Sequence, residues 1–103
     1  MIHVLAIITA KPGQREAVLA EFRANMPAVH AEDGCLHYEP AIDAENAGAA
    51  QAKLGEDTFC VVERWASLDA LQAHSRAPHM QAYGAKVRDM LASRVIHILS
   101  PAG

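Results

Sequence analysis

At 103 residues, with 51% hydrophobic and 20% charged side chains, the chain has room for one ordinary globular domain with a small core. A net charge of −3 leaves no basic footprint for nucleic acid. The longest apolar run, Val4 to Ile8, is strand-sized and too short to cross a bilayer. The N-terminus shows no basic segment followed by an apolar stretch and a small-residue cleavage site, so a cytoplasmic protein is expected.

Ile2 to Thr9 (IHVLAIIT) is β-branched and almost continuously apolar, which predicts a central strand covered on both faces. Lys11-Pro12-Gly13 ends it, and Pro12 suits the first turn of a helix. From Gln14 to about Glu32, Val18, Phe22 and Met26 recur every four residues with Leu19 and Val29 beside them, a helical stripe. Pro27 is predicted to kink that helix or end its regular part, and Gly34 supplies a left-handed cap. Cys35 to Ile42 (CLHYEPAI) alternates loosely and reads as a second strand, with Pro40 placing it at an edge or bulge.

Asp43 to Asp57 is rich in Ala and Gly, lacks a period and predicts a long connection, a feature often functional. Thr58 to Ala66 (TFCVVERWA) is the third strand. Ser67 then suits an N-cap, with Asp69 in the first turn of a short helix from Leu68 to about Ser75. Pro78 begins another helix, on which Met80, Tyr83, Val87, Met90 and Leu91 share a face. Arg94 to Leu99 is the last strand.

The order β-α-β-β-α-β is the split βαβ, or ferredoxin-like, α+β arrangement. It predicts a single domain, 1–103, with a four-stranded antiparallel-type sheet and helices on one face. Right-handed crossovers put strands one and three side by side at the centre, here expected to run parallel. Strands two and three form an antiparallel hairpin. With Ala41 opposite Thr58, Cys35 falls near Arg64 and Cys60 near Glu39, on the order of 13 Å apart. No disulfide spans that distance, so two free thiols are expected. On the third strand Phe59, Val61, Glu63 and Trp65 share one face, and Cys60, Val62, Arg64 and Ala66 the other. Helices cover only one face, so a homodimer packed through the sheet is expected to cover the rest.

No phosphate-binding glycine loop, H-E-x-x-H or G-x-S-x-G is present. The chemistry-bearing residues gather instead after the third strand. His74 ends the short helix, His79 follows the Pro78 break, and Tyr83 lies one turn beyond His79. A histidine near neutrality can take a proton from a phenol or enol, or it can simply cap a helix end. Trp65 is either core or a stacking surface for a flat ring. Glu63 is unusual in a covered strand, and serves either in a salt bridge or as a base or orienter for His74. The six histidines include no pair at helical i, i+4 spacing, so no metal site is expected. His30, on a polar helix end, is expected to be solvated.

Three segments carry a resemblance: Glu32 to Pro40 (EDGCLHYEP), Val62 to Ser67 (VERWAS) and Ala73 to Tyr83 (AHSRAPHMQAY). Together they resemble the antibiotic biosynthesis monooxygenase family, in particular its quinol monooxygenase branch, and the similarity runs through nearly the whole chain. The resemblance implies a dimeric α+β barrel with a pocket in each subunit. It also implies oxidation of quinol or polycyclic aromatic substrates by O₂ without metal or flavin. By that likeness Trp65, His79, Met80, Tyr83 and Leu5 hold the ring, while His74, supported by Glu63 or Tyr38, takes the hydroxyl proton. Haem-degrading relatives use an Asn on strand one, which has no counterpart here. Two alternatives stand beside this one: an isomerase of a small sugar-derived ketone, for which Arg64, Arg76 and Lys86 are the available cations, and a non-catalytic dimeric binding or stress-associated protein.

Overall fold

The computed structural model describes residues 1–103. The elements are β1 (Ile2–Ala10), α1 (Arg15–His30), β2 (Cys35–Ala41), β3 (Thr58–Trp65), α2 (Leu68–Arg76), α3 (Pro78–Val87) and β4 (Leu91–Leu99), with a 3₁₀ turn (Arg88–Met90) before β4. One four-stranded sheet runs in the order β2-β3-β1-β4, and all three neighbouring pairs are antiparallel. The ferredoxin-like βαββαβ fold is thus as expected, with one correction. β1 and β3 are central neighbours but antiparallel, not parallel. The α1 crossover returns β2 parallel to β1, and the hairpin then reverses β3.

The hairpin register also differs. Ala41 pairs with Cys60 rather than Thr58, and a bulge between Cys35 and His37 sets Cys35 beside Trp65. The connection is held by its own polar contacts: the Asp43 carboxylate accepts the N–H groups of Leu54 (2.8 Å) and Gly55 (2.9 Å). Asp57 accepts the Gly13 N–H at 3.0 Å. These fix where the ladder begins, which strand patterning does not report. Both cysteines remain free thiols, set about 17 Å apart by the strand rise.

Three smaller differences have local causes. α1 continues through Pro27 to His30. The proline sits in the last turn, where losing one i→i−4 bond is tolerated, and Ala31 N–H still reaches the Pro27 carbonyl at 3.1 Å. β4 starts at Leu91 rather than Arg94, after the 3₁₀ turn is tied to β1 by Lys11 N–H to Met90 carbonyl (2.8 Å). β1 alternates in burial: Val4, Ala6, Ile8 and Ala10 lie under the helices, while Leu5 on the other side is 37% exposed.

Val18, Leu19, Phe22 and Val29 of α1 press on the helix-facing residues Phe59, Val61 and Trp65. Gly34 marks the closest approach. Its φ is +84°, and a Cβ there would meet the Ala70 Cβ at 2.7 Å. The opposite sheet face stays open: Leu5, Val95 (50% exposed) and Leu99 (42%) lie on it.

Candidate active site

Between the helix face of the sheet and α2 and α3 lies a cleft of about 590 Å³, within the range of small-molecule sites. Val4, Ala6, Ile8 and Val61 form its floor, and Met80, Tyr83 and Val87 cover it. It opens toward β4, where Ile96 and Ile98 line it yet remain 44% and 55% exposed. Three polar side chains reach this apolar space at one end: Tyr38, Glu63 and His74.

Glu63 lies on the helix face of β3, opposite Val4 of β1 and Tyr38 of β2. It is buried, 7% exposed. Trp65, two residues along and on the same face, donates its indole N–H to Oε1 at 2.9 Å. Burial raises the carboxyl's affinity for a proton. The Trp65 hydrogen bond and the His74 charge oppose that, Glu32 adds to it, and the net shift is upward from 4.5. Oε2 has no hydrogen-bond partner in the protein and is not sealed from solvent.

His74 occupies the last turn of α2, 5% exposed. Its Nδ1 lies 2.7 Å from Oε2 of Glu32, 42 residues away in sequence. A carboxylate at Nδ1 fixes the neutral tautomer with Nδ1–H donating, which leaves Nε2 as the acceptor. The ring also rests against Trp65 (centroids 4.6 Å apart) and Tyr38 (5.4 Å). Tyr38 stacks on Phe22 at 5.1 Å and 12°. Burial pushes its phenol well above the ordinary value, so it stays protonated.

Of the residues singled out in the sequence, Tyr38, Glu63, His74, Met80 and Tyr83 meet at this cleft. Three do not. Trp65 is fully buried behind Glu63 and His74, so it braces them rather than walling the cleft. Leu5 points to the opposite sheet face, because its neighbours Val4 and Ala6 take the inward positions. His79 turns away to Glu32, its Nε2 3.3 Å from the same Oε2 that His74 uses. The partner expected for His74 was Glu63 or Tyr38; the Tyr38 ring does pack on it, but the hydrogen-bond partner is Glu32, which the sequence marks only as a helix end. His30 is exposed but not free: its Nε2 lies 2.9 Å from the Tyr38 carbonyl oxygen.

A more open hollow of about 340 Å³ lies outside β2 and includes His30, Cys35 and His37. It shares Tyr38 with the cleft but lacks Glu63 and His74. No three His, Cys, Asp or Glu side chains converge as a metal-binding group. No helix is long and apolar enough to cross a membrane.

The family model described as antibiotic biosynthesis monooxygenase matches residues 1–86. Among known proteins, the chain is 38% identical over 103 residues to the "Probable quinol monooxygenase YgiN" of Escherichia coli K12, covering 98% of each chain. Two solved structures are similar throughout. PA3566 from Pseudomonas aeruginosa aligns with a TM-score of 0.80 at 27% identity, covering 99% of this chain and 94% of that one. Rv0793 from Mycobacterium tuberculosis aligns with a TM-score of 0.80 at 27% identity, covering 99% and 95%.

Proposed function

This chain belongs to the antibiotic biosynthesis monooxygenase family, and on that footing we propose that it oxidises small aromatic diols (quinols) with O₂. The observation that carries this reading is the pair of braced acid–base groups at one apolar cleft, His74 held by Glu32 and Glu63 by Trp65. The relative named for quinol chemistry supports the substrate class.

Such a reaction needs no flavin or metal, because the diol supplies every electron. A naphthalene diol and O₂ balance against a hydroxynaphthoquinone and water. His74 Nε2 takes a hydroxyl proton, and the resulting anion is electron-rich enough to reduce O₂. The semiquinone radical and superoxide so formed combine at a ring carbon, and the His74 imidazolium returns its proton to the peroxide, which gives a hydroperoxide and restores the neutral imidazole. Loss of water from it requires a proton delivered to the departing oxygen and another removed from carbon. Glu63, which holds its proton unusually well, is suited to the delivery, and His74 to the removal. Tyr38, Met80 and Tyr83 complete the ring-binding walls, and the closed apolar floor limits competing water.

The open sheet face bearing Leu5, Ile7, Val95 and Leu99 supports a homodimer joined through the sheets, as in the dimeric barrel that the sequence suggests. The test of function is O₂ uptake. Protein treated with a chelator and free of flavin absorbance should convert a naphthoquinol faster than it autoxidises, and His74→Ala should remove most of the gain. Rates equal to the protein-free control for several quinols would refute the reading. An isomerase would instead turn over its ketone under strict anaerobiosis.

A further inference from the structure

Two guanidiniums stand at the open side of the cleft outside any ion pair. Arg88, in the 3₁₀ turn, and Arg94, on β4, both line the cleft and are both exposed. Neither takes part in any ion pair of the chain, nor in a side-chain hydrogen bond such as those Arg15 makes. The neighbouring cation Lys86 is already committed, 3.8 Å from Glu21. In a chain of net charge −3, this is a local concentration of free positive charge.

A third donor belongs with them. Tyr83 lines the same cleft and is half-buried. Burial pushes its phenol up to about 12, with Arg94 pulling against that rise and the Glu21 carboxylate, which Lys86 pairs, adding to it. The hydroxyl therefore stays protonated and able to donate. The acid–base groups lie at the other end. Glu63 pairs with Val4 of β1 and Arg94 with Ile8. Four residues along β1 and two strand spacings across put their Cα atoms about 16 Å apart. The wall along β4 between them, Ile96 beside Ala6 and Ile98 beside Val4, is apolar. A flat ring at the Glu63 end thus leaves room for a short arm ending at the arginines.

We propose that Arg88, Arg94 and the Tyr83 hydroxyl form an oxyanion subsite at the cleft mouth, so that the substrate is an aromatic diol bearing a carboxylate or phosphate on a short arm. The identity of the ring rests on the quinol reading above, whereas binding of the anion does not. A planar guanidinium fork suits either oxyanion. The arrangement also orients the ligand, with the charge held at the mouth and the diol directed inward to His74 and Glu63.

The test is equilibrium binding with oxidised ligands, which cannot turn over. Trp65 is the single tryptophan and packs on His74, so its fluorescence reports occupancy. Three matched naphthoquinones are compared, carrying a carboxypropyl arm, its methyl ester, and a phosphate ester on a propyl arm. At least one anionic ligand should bind about tenfold more tightly than the methyl ester, the scale of one charge-assisted hydrogen bond. That advantage should shrink with added salt and disappear in the Arg88→Gln, Arg94→Gln double variant, while the ester is unaffected. Which anionic arm binds better tells carboxylate from phosphate. Equal binding of all three, no binding of any, or an advantage that survives the double variant would overturn the subsite. If the acid binds tightly but its diol form is oxidised no faster than spontaneously, the monooxygenase reading fails and the subsite stands.

Discussion

Replacing Glu32 by Gln tests whether His74 is held for chemistry or merely packed. The carboxylate sits 2.7 Å from His74 Nδ1, with both side chains largely buried (15% and 7% exposed). Gln keeps the shape and an acceptor oxygen but removes the charge. A hydrogen bond to a charged partner is worth about 1.5–3 kcal/mol, and the stabilisation is greatest when the imidazole carries the substrate's proton. If all of it is expressed in the transition state, kcat falls about ten- to hundredfold. KM should change little, because Glu32 does not line the cleft. The assay is O₂ uptake with a naphthoquinol across pH. The rate is normalised to the folded fraction read from far-UV circular dichroism. Loss of fold alone would lower the active fraction without changing the normalised kcat. An unchanged normalised kcat would refute the positioning of His74 by Glu32.

Glu63→Gln should have a pH-dependent effect on stability. The folded carboxyl binds its proton more firmly than the unfolded one, so its contribution is full below about 4.5 and is lost as pH rises through the folded value. Gln cannot ionise, so urea titrations should show the variant gaining on the parent as pH rises from about 4.5; a pH-independent difference would contradict burial as the cause. Gly34→Ala combines a positive φ with a 2.7 Å clash against Ala70, whereas Gly48→Ala has a positive φ (+92°) and open space. The second should cost about 1 kcal/mol and the first distinctly more, measured by the same titrations. Leu5→Glu places a charge on the open sheet face; sedimentation should show dissociation toward monomer, and an unaltered mass would count against a sheet-to-sheet dimer.

Much of the fold was readable because its signals are local. The four-residue stripe of Val18 and Phe22, the Ser67 cap and the alternation of Phe59, Val61, Glu63 and Trp65 each depend on near neighbours. The cap is seen directly, with Ser67 Oγ accepting the Ala70 N–H at 3.1 Å. The hairpin register was not readable because the long connection is closed by side-chain bonds from Asp43 to Leu54 and Gly55, which strand patterning does not report. β1 concealed its inward face: with Leu5 and Ile7 as apolar as Val4 and Ile8, no contrast marks which parity meets the helices. Glu63 and His74 were legible as candidates that reach a common cleft, but not what holds them. Glu32 reaches His74 from the end of α1, a tertiary contact without a sequence period. The depth of Trp65 likewise depends on α1 and α2 closing over it, and Arg94 acquires meaning only when β4 is seen to border the cleft.

The most direct measurement is a crystal structure of the protein soaked with a hydroxynaphthoquinone, the type of product the reaction should yield. The ring is expected between Met80 and the floor formed by Val4 and Ala6, with one oxygen within hydrogen-bond distance of His74 Nε2 and another beside the Glu63 carboxyl. A ring seated in the hollow outside β2, or bound with both groups turned away from it, would contradict the assignment of this cleft as the site of quinol oxidation.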